Sequence, residues 1–264
     1  MEALVRRIQK ELLKQGATDA IISANSHYTD QIKFSNNKIS ATNLWNYNNV
    51  DIFISIKNKV ATTSLKEFDK KTVDETIKNL IKIAKLSTAN KDFLGIANGP
   101  FKYRKINETY DKNIIKVDKV SIVENSINEA LKEGAKRTAG LLESSIASNL
   151  LTTSSNVEAE SKATLIHLSL RALFSKESSG HLTCTSRILK KFNYLEVAKE
   201  AGYLAANSKN PKQCQPGKYD AIFKPLAFAN LLSSIGEASS VFSVESGLSF
   251  LKNKINKKIA SEKV

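Results

Sequence analysis

The clearest pattern in the chain is the run "NNVDIFISIKNKVATTS". Val50, Ile52, Ile54 and Ile56 fall at period two, which predicts a half-buried strand. Asn58-Lys59 then predicts a turn into a second strand, Val60 to Ser64. Near the start, Leu4, Val5, Ile8 and Leu12 mark one face of a helix that Gly16 stops. "DAIISA" reads as a short strand, "ANSHYTD" as a loop, and Ile32 and Phe34 alternate before an Asn36-Asn37 turn. Thr72, with Glu75 three residues on, predicts a capping box. The helix it opens carries Val73, Ile77, Leu80, Ile81 and Ala84 as its buried stripe.

The same plan recurs further on. Residues 91–113 hold Gly95, Gly99-Pro100 and mixed polar residues without a period, which predicts a linker. A helix with Val120, Val123, Ile127, Ala130 and Leu131 stops at Gly134. Long strands follow in "TAGLLESSIASNLLTTSSN" and "ESKATLIHLSLRALFS", then a Ser178-Ser179-Gly180 turn leads to "HLTCTSR". Asn193, with Glu196 three on, opens a helix ending at Asn207. The fold class expected is α+β: two successive helix–antiparallel sheet–helix units, followed by the start of a truncated, β-rich third domain. The expected boundaries are 1–90, a linker 91–113, 114–215, and an incomplete domain 216–264.

That last segment predicts a short strand over Tyr219 to Phe223, then a helix with Pro225 in its first turn. Phe228, Leu231, Leu232, Ile235, Ala238 and Phe242 follow at helical spacing, and Leu248, Leu251, Ile255 and Ile259 predict one more amphipathic segment. A lone strand cannot form a sheet. The tail is expected either to dock on the preceding domains or to begin a domain the chain does not finish.

Composition narrows the class. Hydrophobic residues are 41% and charged residues 25% of 264, ordinary for a globular protein. No apolar run approaches the ~18–20 residues of a membrane span, and the N-terminus lacks the apolar core of a signal peptide. Two cysteines, Cys184 and Cys214, do not make a disulfide framework. A cytoplasmic location is expected. The formal charge is +14, yet arginine occurs only at Arg6, Arg7, Arg104, Arg137, Arg171 and Arg187, and the lysines run along the whole chain. Forked phosphate contacts need arginine, and a stacking platform interleaves cations with aromatics. Biased Lys/Ile/Asn composition therefore accounts for the charge better than nucleic-acid binding does. The one true cluster is Lys252, Lys254, Lys257 and Lys258.

Candidate chemistry is sparse. There is no H-E-x-x-H, G-x-S-x-G, P-loop or G-x-G-x-x-G. His181 and Cys184, three apart on a strand, point to opposite faces and cannot share a metal. His167 reads as a partnered sheet residue and His27 as a solvated one. A serine nucleophile needs a base and an orienting group, and neither His167 nor His181 can be given that role from sequence. Glu237 is a lone carboxylate.

"QIKFSNNKISATN", the long alternating strand, "KNK" and "VATTSLKEFD" resemble the N-terminal domain of the TldD/PmbA family. "PGKYDAIFKPLAFANLLSSIGEASSVFSVESGLSFLKNKINKKIASEKV" resembles the start of that family's C-terminal domain. The resemblance covers the chain in order. It implies two kinds of subunit: TldD-type chains with H-E-x-x-x-H on the late helix, which make a zinc peptidase, and PmbA/TldE-type chains that keep the fold and lose the ligands. Laying the family's leucine pair on Leu231 and Leu232 puts Ser233 at the first histidine, Ser234 at the glutamate and Ala238 at the second histidine. Glu237 falls one residue from any functional position. Serine is a poor zinc ligand and alanine none.

The resemblance thus implies a non-catalytic TldE/PmbA-like subunit with no catalytic, cofactor or metal residues of its own. Zinc is expected in a TldD-type partner, or the chain pairs with itself, and the complex acts on unstructured peptides. It also implies that family members continue past "KIASEKV", so that this chain holds at most the N-terminal two-thirds. The alternatives are an active metallopeptidase with unrecognised ligands, and a basic module for nucleic acid or another polyanion.

Overall fold

Antiparallel pairing governs the architecture. In the computed structural model, residues 1–104 and 106–262 are described. Lys105, inside the expected linker, and Lys263 and Val264, at the end of the expected third domain, lie outside the described residues. The first half runs α1 (Glu2–Lys14), β1 (Asp19–Ser35), β2 (Lys38–Ile56), β3 (Lys59–Leu65) and α2 (Lys70–Leu86). After a short α3 (Asn113–Lys116), the second half runs α4 (Lys119–Lys132), β4 (Arg137–Thr153), β5 (Glu158–Leu173), β6 (Ser179–Ser186) and α5 (Tyr194–Asn207). Each half is helix, three strands, helix, as the patterning predicts.

The two halves do not keep separate sheets. Among the described residues all six strands form one antiparallel sheet, in the order β3-β2-β1-β4-β5-β6. Residues 1–211 accordingly form one compact unit, where the sequence reading divides them at 91–113. β1 is central because β4 pairs with it from Ile21↔Thr153 to Ser35↔Ala139. The order is symmetric about that seam, so the strand meanders of the two halves run outward from it in opposite directions.

Period two sorts the side chains. Ala20, Ile22, Ala24, Ile32 and Phe34 of β1 share a face with Leu142 of β4 and Ile166, Leu168, Leu170 and Ala172 of β5. The helices cover this face in two patches. Val5, Ile8 and Leu12 of α1 and Val73, Ile77, Leu80, Ile81 and Ala84 of α2 pack on the β1–β2–β3 side. Ile122, Val123, Ile127 and Ala130 of α4 and Ala198, Ala201 and Ala205 of α5 pack on the other. Among the described residues of 1–211, no helix packs on the opposite face of the sheet.

Local chemistry explains the boundaries. Gly16 and Gly134 adopt φ of +100° and +101° and turn α1 and α4 into the strands that follow. At both stops the next residue donates its N–H back into the last turn, Ala17 to Leu12 O and Ala135 to Ala130 O. Asn36-Asn37 and Lys57-Asn58 are left-handed pairs, the geometry of a tight type I′ hairpin. The second turn therefore sits one residue earlier than Asn58-Lys59. α2 starts at Asp69 rather than Thr72, because the Asp69 carboxylate accepts from the Thr72 N–H at 3.0 Å. Asp118 caps α4 in the same way through Ser121. Val120 is exposed; Ile122 takes its expected place in the stripe.

The strands are longer than the patterning predicts. "ANSHYTD" is not a loop but the middle of β1, and β2 begins at Lys38, far ahead of Val50. The linker meets the rim of the sheet: Phe93 packs against Phe53, the Gly99 N–H donates to Ser155 O, and Thr164 N–H donates to Thr109 O. Asp111 fixes its end, accepting from the N–H groups of Leu189 and Asn113, which hold its carboxyl below the usual range.

Residues 212–264 form the second compact unit. It contains α6 (Pro225–Ala238), with Pro225 at its first position as expected, and α7 (Val241–Glu245). One expectation fails here. Tyr219–Phe223 is not a strand, because no described strand offers it a ladder. The segment expected at Leu248, Leu251, Ile255 and Ile259 is a series of turns, with Asn253 and Asn256 both at φ +60°. Ser249 Oγ ties this segment to α6 by donating to Ala238 O.

The crossing of α4 and α5 depends on Gly202, where a Cβ would lie 2.4 Å from Ala130 O. Gly202→Ala is expected to cost about 1–3 kcal/mol through overpacking. A lowered urea midpoint at neutral pH checks this, and an unchanged midpoint would refute the close approach.

Candidate functional site

Two places bring together residue types capable of chemistry: the helix-free face of the sheet and α6. The sheet face is built by parity. His27 of β1, Glu143 of β4, His167 and Ser169 of β5, and His181 and Thr185 of β6 all occupy alternate positions on this face. Strand pairing aligns Asn43, Gln31, Glu143, His167 and Thr185 as one row across five strands. Asn43 Nδ2 donates to Gln31 Oε1 at 3.3 Å, and Gln31 Nε2 donates to Glu143 Oε2 at 2.9 Å. His167 Nδ1 shares a hydrogen bond of 2.8 Å with Thr185 Oγ1. His167 is thus a partnered sheet residue. His27 is solvent-exposed, but on a strand, opposite Tyr47 and Ala147.

One pair resembles a nucleophile and its base. Ser169 Oγ and His181 Nε2 share a hydrogen bond of 3.0 Å. A working dyad needs a third group that stabilises the imidazolium, normally a carboxylate. Here the cross-strand neighbour of His181 is Arg171. Burial first, and then the Arg171 charge, lower the His181 pKa. A cation in that position opposes the protonated state a general base must reach. The pair is a cross-strand hydrogen bond, not a nucleophile. Sequence reasoning missed it, although the β5–β6 hairpin register through Ser178-Ser179-Gly180 is the signal that places Ser169 beside His181.

Cys184 lies on the other face of β6 from His181, opposite Leu168 and packed against the second core. Burial pushes its thiol up to about 11. A shared metal between the two is excluded by this geometry. A furrow of about 570 Å³ runs between α4 and α5, lined by Asn125, Asn128, Glu129, Lys132 and Leu195. It is remote in sequence and element from every histidine.

α6 carries the positions at which the family resemblance implies metal ligands. Ser233 Oγ donates to Asn230 O at 2.9 Å, and Ser234 Oγ reaches the same carbonyl at 3.4 Å. Ala238 has no donor atom, and its carbonyl accepts from Ser249. The donor set of a zinc site is imidazole, thiolate or carboxylate. Two hydroxyls turned back onto their own helix and a methyl group do not fit that ion. Among the described residues no three His, Cys, Asp or Glu side chains converge.

Comparisons with known proteins bear on both places. Residues 216–264 match the family model of the PmbA/TldA metallopeptidase C-terminal domain. A comparison with curated proteins finds no match. Among solved structures, a candidate modulator of DNA gyrase from Bacteroides thetaiotaomicron VPI-5482 superposes with TM-score 0.82 at 19% identity, covering 98% of this chain and 62% of its own. A second candidate gyrase modulator, from Thermotoga maritima MSB8, gives TM-score 0.81 at 19% identity, with 96% of this chain and 59% of its own covered. TldE from Thermococcus kodakarensis gives TM-score 0.78 at 16% identity, with 95% and 58% covered. The chain therefore spans about three-fifths of the length of these structures.

At these identities the likeness establishes the fold: an α+β architecture shared with TldE and the two gyrase-modulator structures. The sequence match over 216–264 adds a likeness of that segment to the PmbA/TldA metallopeptidase C-terminal domain. No helix is long and apolar enough to cross a membrane among the described residues.

Two outcomes test the site geometry. At neutral pH a disulfide thiol reagent is expected to titrate exposed Cys214 fast and Cys184 slowly, the latter accelerating on denaturation; equal rates in the native protein would contradict the burial of Cys184. A lowered His181 pKa means the folded state prefers the neutral ring. Its contribution is present above the ordinary value of ~6.5 and is lost as pH falls through the lowered one. His181→Gln is therefore expected to flatten slightly the fall in thermal midpoint between neutral and mildly acidic pH, and an identical slope would contradict it.

Proposed function

We propose that this chain is a TldE/PmbA-like, non-catalytic subunit of a zinc metallopeptidase assembly. The observation that carries the reading is the chemistry of α6 at Ser233, Ser234 and Ala238, the positions where the family resemblance would put the metal ligands. Activation of water by zinc needs ligands that hold the ion and leave one position open. At those positions this helix offers none, and its one carboxylate, Glu237, lies a residue away from them. The zinc would reside in a TldD-type partner, and the role of this chain would be to complete the assembly that receives unstructured peptides in the cytoplasm.

An active metallopeptidase reading would need ligands elsewhere, and the partners of His167 and His181 argue against it. Both rings bond to hydroxyls, Thr185 and Ser169, and His181 faces a guanidinium. The polyanion reading has the bulk charge of +14 and the cluster Lys252, Lys254, Lys257 and Lys258 in its favour, without the arginines or the interleaved aromatics of a nucleic-acid platform.

Metal analysis and affinity capture test the proposal together. Purified chain is expected to carry far less than one zinc per molecule, and tagged chain is expected to recover a TldD-type polypeptide from its native cell. Stoichiometric zinc that disappears on His167→Ala or His181→Ala would overturn the assignment, as would repeated capture without any such polypeptide.

A further inference from the structure

One long edge of the sheet has no strand paired with it among the described residues. β3 pairs only with Val50–Ile56 of β2, so the outer side of Lys38–Asn49 meets no strand among the described residues. That edge is roughly 35–40 Å long at a strand's usual rise. Exposed edges normally carry charges, proline or bulges along their length, because free N–H and C=O groups template pairing with other chains. The comparable stretch of β5 follows this rule: β6 pairs only from Ile166 onward, and the bare part carries Glu158, Glu160 and Lys162 and meets the linker at Thr109. β2 has little of this. Its edge, "KISATNLWNYNN", has one charge, at Lys38, a register shift that leaves Ser40 unpaired near that end, and no proline along the rest.

The side chains beside this edge suit an added strand. Leu44 is 63% exposed, while Trp45 and Tyr47, on the helix-free face, are 47% and 46% exposed. An incoming strand would gain a contact on each of its faces. The charge at the ends selects what comes in. Lys38 stands at one end of the edge, and Lys66 lies beyond β3 at the other, its ammonium 5.9 Å from the centre of the Tyr47 ring. A second copy of this chain brings its own +14 to an edge flanked by Lys38 and Lys66. An acidic segment from another protein meets a cation at both ends.

We propose that the outer edge of β2 is a docking site for an extended polypeptide strand with acidic residues near both termini, which continues the sheet in line with β3. Main-chain hydrogen bonds supply the affinity, and Lys38 and Lys66 supply the preference for acid. This does not depend on the subunit assignment above.

Trp45 is the sole tryptophan, so its emission reports on this edge alone. The probe is a capped peptide of alternating Thr and Val with Glu at both ends, titrated into the full chain. A saturable blue shift of Trp45 emission is expected. A twin peptide N-methylated at alternate residues should bind at least about tenfold more weakly, since several backbone hydrogen bonds are lost. Lys66→Glu should weaken the acidic peptide several-fold and improve a Lys-ended one. The proposal is overturned if no saturable shift occurs, if the N-methylated twin binds equally, or if Lys66→Glu leaves both affinities unchanged. It is also overturned if a short oligothymidylate binds more tightly than the peptide, or if sedimentation shows that Trp45 shifts because the chain dimerises.

Discussion

The pairing of β1 with β4 is the constraint on which the rest of the structure depends. Each half of the chain has a hairpin with one free side. Without this seam each would carry an unprotected central edge seventeen residues long. Joining the two edges satisfies both sets of backbone groups at once, and it also fixes parity. Even-numbered residues of β1 meet even-numbered residues of β4, so the apolar faces of the two halves fall on the same side. A slip of one residue would turn Leu142 and its row to the bare face. The seam is held by polar groups that water cannot reach easily: Thr29, Gln31 and Ser145 are buried, and Gln31 reaches across to Glu143.

The seam also explains why there are two cores and not one. Helices α1 and α2 cover one end of the long strands, and α4 and α5 cover the other, with a polar band between them at Ser26, Asn48 and Ser148. Contacts from α1 and α4 across the seam tie the patches together. Gln9 of α1 donates to Thr153 O of β4, Arg6 bonds Glu158 of β5, and Lys119 of α4 pairs with Asp30 of β1 at 3.0 Å. The Lys119–Asp30 pair is the most sheltered of these. The others lie nearer water, where an ion pair contributes little.

What the sequence conveys follows from this geometry. Where a strand lies over a helix patch, alternation is plain, as at Val50–Ile56, and the strand is legible. Where the same strand crosses the polar band, both faces carry polar residues and the period vanishes. "NSHYTD" in β1 and "NLWNYNN" in β2 are strands because their neighbours hold them, not because their own pattern says so. Joining of the halves is invisible for the same reason, since nothing local marks β1 as the partner of β4. The tail errs in the opposite direction. Tyr219–Phe223 has strand composition without a ladder, and the apolar spacing of 248–259 falls in a series of turns with two left-handed asparagines. The metal register on α6 became legible only through family resemblance, and the Ser169–His181 bond only through strand register.

In both places the polar side chains are engaged by their immediate neighbours. On the sheet, Ser169 and His181 stand at bonding distance, yet the group beside the imidazole is Arg171, a charge of the wrong sign for a general base. On α6, the hydroxyls of Ser233 and Ser234 spend their hydrogen bonds on Asn230 O. Back-bonded serines leave their own hydroxyls without need of an external partner, and Glu237 is the one charged group on this helix. The apolar side of the same helix, with Leu231, Leu232 and Ile235 each about half exposed, has the opposite character. A helix with one small polar side and one apolar side is suited to being packed, as the proposed role in an assembly would require.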